Sequence, residues 1–477
     1  MQLKKFGKRR VSRALGAVTA NLFIATHAYA QAAQPPAPAP SLPIPALNVG
    51  GNASGSVLDD TATDLSTTVF DGSVLFYQEA GGRVRAIEPV ARLKITGYTG
   101  DSLSIKATYD GLTGASPNGA TPWSDVQTFT VPIATPGTEE AVTGASGNTQ
   151  IVTIPGTGTQ VGQYTVPAHQ LPLDQGFRDR RFAGDIGYTR VFSSNTRASF
   201  GFSGSDERDY LSISGNASIA QDFADHTTTL TLGVNYEYDK SNPHFGTPTP
   251  FTEMNGLVKG PGESKNVVSL VAGFTHVMTR FWLLQVNYDI GWNKGYQTDP
   301  YKIISVVDPI TGAPQQYLYE NRPRSRTRQS LYTASKLAIG PTVADLSFRY
   351  YWDSWSIKSI TAEVSERVPI TSWFYVEPEF RYYHQTAAKF FNYYLLAGQP
   401  LPDYASADGR LNRFNARTIG VRLGFPMGDG EFYILGQDYK QTGAKTVPTA
   451  PGDLAFENLF SGVHARSVMA GFSFTFR

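Results

Sequence analysis

Between Phe281 and Asn293 the chain alternates with period two. One set of alternate residues is Trp282, Leu284, Val286, Tyr288, Ile290 and Trp292; the other, from Gln285 on, is Gln285, Asn287, Asp289, Gly291 and Asn293. Successive side chains of a strand point to opposite faces, so this segment predicts a strand with one apolar and one polar face. Trp282 and Trp292 stand ten residues apart. At roughly 3.3 Å per residue and a tilt of about 40°, that separation is about 25 Å along the membrane normal. This is the height of the lipid-facing band of an outer-membrane barrel, with an aromatic side chain at each edge. The pattern recurs. Leu230, Leu232, Val234, Tyr236 and Tyr238 oppose Thr231, Gly233, Asn235, Glu237 and Asp239; Leu346, Phe348, Tyr350 and Trp352 oppose Ser347, Arg349, Tyr351 and Asp353. At the end of the chain Val468, Ala470, Phe472, Phe474 and Phe476 oppose Gly471, Ser473 and Thr475.

The pattern predicts sixteen strands, over residues 72–80, 83–98, 102–112, 177–192, 195–205, 209–222, 226–239, 264–277, 280–293, 326–338, 343–353, 356–367, 371–385, 410–425, 431–441 and 464–477. The first and tenth alternate poorly. Every second connection is short. The intervening ones are often long: 113–176, 240–263, 294–325, 386–409 and 442–463. Short turns on one side and long loops on the other are the arrangement of a transmembrane antiparallel β-barrel, with short periplasmic turns and long extracellular loops. An even count returns the C-terminus to the side where the first strand starts. The expected exterior carries interface aromatics at Trp282, Trp292, Tyr236, Tyr238, Trp352 and Phe476. A soluble two-sheet protein would also alternate, but would bury the apolar face and make the paired tryptophans accidental.

The first thirty residues change the picture of where this barrel goes. Lys4, Lys5, Lys8, Arg9, Arg10 and Arg13 precede an apolar stretch from Ala14 to Ile24, and Ala28-Tyr29-Ala30 is a small-x-small cleavage site. This is the pattern of a secretory signal (1–30) cleaved near Ala30. The apolar stretch is shorter than the roughly 20 residues a membrane helix needs. Residues 31–70 are Pro-, Ala- and then Gly-rich, and read as a flexible periplasmic segment ahead of a barrel over 71–477. Composition agrees with many strands and turns: 12% aromatic, 17% charged, no cysteine. With 41 basic against 40 acidic residues, bulk charge points to no nucleic-acid partner.

Several stretches carry a family resemblance. Leu75-Phe76-Tyr77-Gln78-Glu79 is followed by Arg83 to Pro89, then by Tyr109 to Ala120, Val126 to Thr130, and Pro172-Leu173-Asp174 before Phe177-Arg178-Asp179. Later Asp299-Pro300-Tyr301-Lys302 precedes Tyr317-Leu318-Tyr319-Glu320-Asn321-Arg322-Pro323. Together these resemble a bacterial family known only as a domain of unknown function, number thirty-five seventy, from about residue 70 to the C-terminus. The resemblance implies an envelope barrel and transfers no catalytic residue.

Candidate chemistry lies in the interior. From Ala107 to Phe177 there is no Lys or Arg, while Asp110, Asp125, Glu139, Glu140 and Asp174 are acidic; Arg178, Arg180 and Arg181 follow at once. A long loop folded into the lumen, carrying acids towards arginines on the wall, would create a transverse field that selects solutes. Candidate lumen and constriction residues are therefore Asp110, Asp125, Glu139, Glu140, Asp174, Arg178, Arg181, Arg349, Glu377, Glu379 and Arg381. The bland reading is that such charges pair with one another. The seven histidines form no H-E-x-x-H and no close pair, His384 falls near Glu379 and Arg381, and the Asp59, Asp60, Asp64 group follows no calcium-loop pattern. No enzyme, metal or cofactor is expected. The Arg322-Pro323-Arg324-Ser325-Arg326-Thr327-Arg328 run is expected at a loop end, where it could meet lipid phosphates. The expectation is a porin-like channel for small polar solutes in a Gram-negative outer membrane. The alternative is a plugged barrel serving an envelope complex, and a rim hydrolase stands third. Partners expected are outer-membrane lipid, the insertion machinery and, for the plugged barrel, a periplasmic protein.

Overall fold

The computed structural model describes residues 66–132, 150–153, 160–243, 246–254 and 259–476. Glu139, Glu140 and the signal, with Asp59, Asp60 and Asp64, lie outside these residues.

Sixteen antiparallel strands close into one barrel in sequence order. They are β1 (Thr67–Glu79), β2 (Arg85–Thr96), β3 (Ser102–Pro117), β4 (Leu173–Val191), β5 (Thr196–Glu207), β6 (Tyr210–Phe223), β7 (Thr228–Ser241) and β8 (Glu263–Thr279), then β9 (Trp282–Gly295), β10 (Ser325–Ile339), β11 (Thr342–Asp353), β12 (Lys358–Thr371), β13 (Phe374–Gln385), β14 (Phe414–Met427), β15 (Gly430–Thr442) and β16 (His464–Phe476). The last strand pairs with the first, from Thr68 opposite Phe476 to Glu79 opposite Ala465. Closure leaves no sheet edge, the condition for strands to cross lipid. Every expected strand is present. The barrel begins at Thr67 rather than residue 71, and β3 runs five residues beyond its expected end, to Pro117; Asp110, inside the expected span of that strand, stands on the wall.

The exterior is apolar. Phe182, Ile186, Phe200, Phe202, Leu232, Ile419 and Val468 are all exposed on outward positions. Tyrosines mark the outer edge of this band: the hydroxyls of Tyr236, Tyr288 and Tyr382 donate to the side-chain oxygens of Asn266, Gln329 and Asn415 on the next strand, at 2.7, 2.6 and 3.0 Å. An apolar ring with a satisfied polar tip is what a membrane interface favours. Trp292 and Phe476 are exposed at opposite ends of the barrel, Tyr238 faces outward, and Trp352 stacks on Tyr350. β10 alternates poorly because its outward Ser335 sits under a neighbour, accepting from Trp282 Nε1 at 3.3 Å.

On the inner face, aromatic rings lie over glycines. Tyr375 is opposite Gly424, Gly424 is opposite Tyr433, and Tyr433 is opposite Gly471. A Cβ at Gly424 would sit 1.9 Å from the Tyr375 ring, and one at Gly471 2.5 Å from that of Tyr433. These rings cover backbone that would otherwise be bare, and they pin the register of four strands.

Short connections occupy one end of the barrel throughout. The other end carries three short links (80–84, 208–209, 354–357) and five long ones: 118–172, 242–262, 296–324, 386–413 and 443–463.

Candidate functional site

The inner wall is polar, and its charges neutralise each other along the wall. Most acid–base pairs occupy directly opposed positions on neighbouring strands; Arg367, 3.5 Å from Glu431 three strands away, is an exception. Arg92 reaches Asp71 at 2.5 Å, Lys265 reaches Asp239 at 2.9 Å, Lys336 reaches Asp345 at 3.2 Å and Lys106 reaches Asp185 at 3.8 Å. Arg181 binds Asp110 on β3, and Arg381 stands 4.0 Å from Glu363. Opposed side chains on one sheet face are close enough to pair without crossing the lumen. Glu377 holds Arg367 at 3.0 Å, Glu379 accepts from Gln437, and Arg349 lies over the Tyr351 ring. Asp110 and Arg181 are thus wall neighbours, not opposite poles of a field.

Exposure divides this wall. On β7–β9 and on β14–β16 with β1, inward side chains are buried, among them Asp239, Lys265, Asn287, Leu75, Met469 and Leu435, which is 1% exposed. On β3–β4 and β10–β13 the pairs Lys106–Asp185, Lys336–Asp345 and Arg381–Glu363 are partly exposed.

Above the barrel the long loops fold together into a canopy. At its centre is a strand, Ile303–Val307, whose Ile303, Ile304, Ser305 and Val307 are wholly buried. It pairs antiparallel with Pro314–Tyr319 and parallel with Tyr394–Leu396. The loop after β3 meets it directly: Ile303 N donates to Asn118 O at 2.9 Å and Thr121 N to Ser305 Oγ at 3.0 Å. Gly119 has φ +102°, and a Cβ there would lie 2.2 Å from Ile303 O, so this approach requires glycine. Phe129 and Tyr164 from the same loop pack on Ile303 and Tyr319. The loop after β3 and the loop after β9 leave the barrel six strands apart, so their contact spans the mouth.

A buried ion network ties the canopy together. Arg322 contacts Glu320 at 2.6 Å and Asp408 at 2.8 Å; Arg410 contacts Asp408 at 2.5 Å and Asp299 at 2.6 Å. Asp299 N donates to Glu320 Oε1 at 2.8 Å, and Ser406 donates to Glu320. Burial alone would push the Asp408 carboxyl up, but Arg410 and Arg322 outweigh it and hold it below the usual carboxylate range. Burial pushes Glu320 up, against the pull of Arg322. Lys302 donates to Pro117 O, anchoring this loop to the top of β3.

Several sequence expectations are corrected. Asp125 is exposed on the canopy rather than lining a lumen. Asp174 lies on the long outer extension of β4, where burial pushes its carboxyl up to about 6 against the pull of Lys302. Arg178 is in register with Thr113 on the same extension. The basic run near residue 325 does not meet lipid as a unit. Arg322 is in the canopy network, Arg326 is buried against Asp353 at 2.5 Å, and only Arg324 is well exposed, beside Glu263. His384 stands on the outward face, with Nδ1 2.7 Å from Asn415 Oδ1, so it does not join Glu379 and Arg381. Among the described residues no group of three His, Cys, Asp or Glu is arranged to hold a metal. The canopy network was missed as a site, although the stretches Asp299–Lys302, Tyr317–Pro323 and Asn118–Ala120 that carry the family resemblance are its parts.

Comparison with known proteins returns barrels at low similarity. The ferric enterobactin receptor PfeA of Pseudomonas aeruginosa, in a mutant form, aligns at 9% identity and TM-score 0.39 over 85% of this chain and 59% of its own. The outer membrane protein opdK of the same organism aligns at 8% and 0.35 over 86% and 99%. A bacterial polysaccharide outer membrane secretin aligns at 8% and 0.39 over 87% and 99%. This chain spans little more than half the length of the receptor. No curated protein matches the sequence. One family profile does match, over residues 40–476, and the chain belongs to that family, described as Protein of unknown function (DUF3570).

Proposed function

We propose that this chain is an outer-membrane channel of a Gram-negative bacterium for small polar solutes, with its outer mouth covered at rest by the loop canopy. One observation carries the reading. Beneath the canopy, two arcs of wall, β3–β4 and β10–β13, keep ion pairs partly exposed to solvent. Sixteen strands make a barrel wide enough for an aqueous lumen unless something fills it. Paired charges leave no strong field across the lumen, so polar solutes of either sign pass with modest selectivity. The lipid bilayer and the insertion machinery are the partners this function requires.

A planar bilayer tests the proposal. Purified protein is expected to give brief, infrequent openings. A variant lacking the canopy centre, residues 303–319 replaced by a short glycine-serine link, is expected to give sustained current. If neither passes current, the channel reading falls. A second reading, a filled barrel that docks a periplasmic protein, is supported by the buried apolar side chains on the inner face, Leu75, Leu435 and Met469. It predicts no current from either form and stable capture of a periplasmic protein after crosslinking.

A further inference from the structure

The canopy holds a cavity of about 520 Å³ that has no part in the channel reading. It opens among the loop after β13 and Val447 of the last long loop. This volume falls within the range of small-ligand sites, roughly 300–1,000 Å³. None of its lining residues carries a charge, in a chain where 17% of residues do. Half of the lining is aliphatic, from leucine, proline and valine; the other half is aromatic and amide: Phe391, Tyr393 and Tyr394 with Asn392, Gln399 and Asn412.

The walls are fixed in place. Tyr394 belongs to the Tyr394–Leu396 strand, paired with the buried centre of the canopy. Phe391 and Tyr393 meet edge to face at 5.0 Å and 78°, so their faces form a corner. Asn412 Nδ2 donates to the Tyr393 hydroxyl at 2.7 Å, and Asn392 N to Ser406 O at 3.0 Å. Two polar groups are left over. Among the described residues, neither the Tyr394 hydroxyl nor the Gln399 amide has a side-chain hydrogen-bond partner.

We infer that this cavity binds a neutral oligosaccharide. A sugar ring has an apolar face of C–H groups that stacks on an aromatic ring, and an edge of hydroxyls that both donate and accept. The tyrosine rings supply the stacking faces, and the Tyr394 hydroxyl with the exposed Gln399 amide supplies groups that donate and accept. An ionic ligand would give up part of its hydration at a site with no countercharge. A purely apolar ligand would cover the Tyr394 hydroxyl and the Gln399 amide without giving either a partner. The site faces the outer medium, so the sugar comes either from lipopolysaccharide of the surrounding leaflet or from soluble glycans outside the cell.

The full chain in detergent is titrated with maltotetraose, chitotetraose and the delipidated neutral core oligosaccharide of lipopolysaccharide, read by saturation-transfer NMR and calorimetry. At least one probe is expected to bind, and sialyllactose is not. Preference for the core oligosaccharide assigns the leaflet as the source; preference for the linear sugars assigns soluble glycans. Gln399→Ala changes an exposed side chain, and Tyr394→Ala removes a stacking face. Each is expected to weaken binding at least tenfold, while Tyr404→Ala, outside the cavity, leaves it unchanged. A heat-dependent shift in gel mobility equal to that of the unmodified chain checks that each variant is folded. No binding by any neutral probe, or equal binding by folded Gln399→Ala and Tyr394→Ala, overturns the inference. Conductance plays no part in the readout, so the channel proposal and this one fail separately.

Discussion

The barrel wall and the canopy both expose apolar side chains and both bury ion pairs, yet they do so for opposite reasons. In the wall, Leu232 is 61% exposed because its surroundings are lipid; in the canopy, Phe456 is 85% exposed to water. In the wall, an ion pair links two residues that the register already places side by side, such as Asp239 and Lys265. In the canopy, Arg322 and Asp408 are brought together from loops on different strand pairs. A wall pair follows from local geometry. A canopy pair exists only when the loops have assembled, so it fastens them.

The sharpest break of this comparison is Arg322→Met. It leaves Glu320 and Asp408 buried without their shared cation, and removing one member of a buried pair costs about 3–5 kcal/mol. The loss should appear as faster amide exchange across 296–324 and 386–413, while the barrel strands keep their protection. Equal loosening of both regions would erase the distinction. Next, Leu232→Arg and Phe456→Arg make one chemical change in two solvents. The first should cost about 2–4 kcal/mol in denaturant titrations from vesicles, as an arginine near the bilayer midplane does, and the second close to nothing. Matching costs would mean that Leu232 does not face lipid. Gly424→Ala then tests the inner face of the wall: the added methyl meets the Tyr375 ring, and overpacking of this kind costs about 1–3 kcal/mol. Its effect should vanish in combination with Tyr375→Ala.

The smallest effect is that of pH. A carboxyl depressed in the folded state contributes stability above its ordinary unfolded value, and loses it as pH falls towards the folded one. Asp408, held down by Arg410 and Arg322, therefore keeps its contribution until below about pH 4. Glu320, raised by burial, has the opposite sign: its contribution is present below its ordinary value and fades as pH rises through the folded one. Canopy exchange rates, corrected for intrinsic chemistry, should hold or fall from pH 7 to pH 5, as Asp174 and Glu320 take up protons, and rise only in stronger acid. A steep loss of protection near pH 6 would contradict the network.

Alternation with period two reads a strand and its two faces directly, and Trp282 to Trp292 gave the height of the band. The length of the connections gave the topology. Closure of β16 on β1 follows from the even count and from lipid's intolerance of a free edge. The short estimate of β3 has a plain cause. A strand that extends above the membrane no longer needs an apolar face, so β3 continues past residue 112 to Pro117 without alternation and looks like loop. His384 was misplaced for the related reason that nearness in sequence is not nearness on a strand: it is odd-even opposed to Arg381 and Glu379 and faces the other way.

What the chain determined by itself is whatever one strand and its neighbours decide: faces, register, wall pairs and the lipid-facing exterior. Each depends on a repeat of two residues and on a solvent that punishes bare backbone. What only the tertiary structure decided is where five long loops meet. Ile303 against Asn118, Arg322 against Asp408 and the uncharged cavity beside Tyr394 join positions up to hundreds of residues apart. No period encodes them, because irregular backbone has none, and their partners are chosen by packing across the mouth of the barrel.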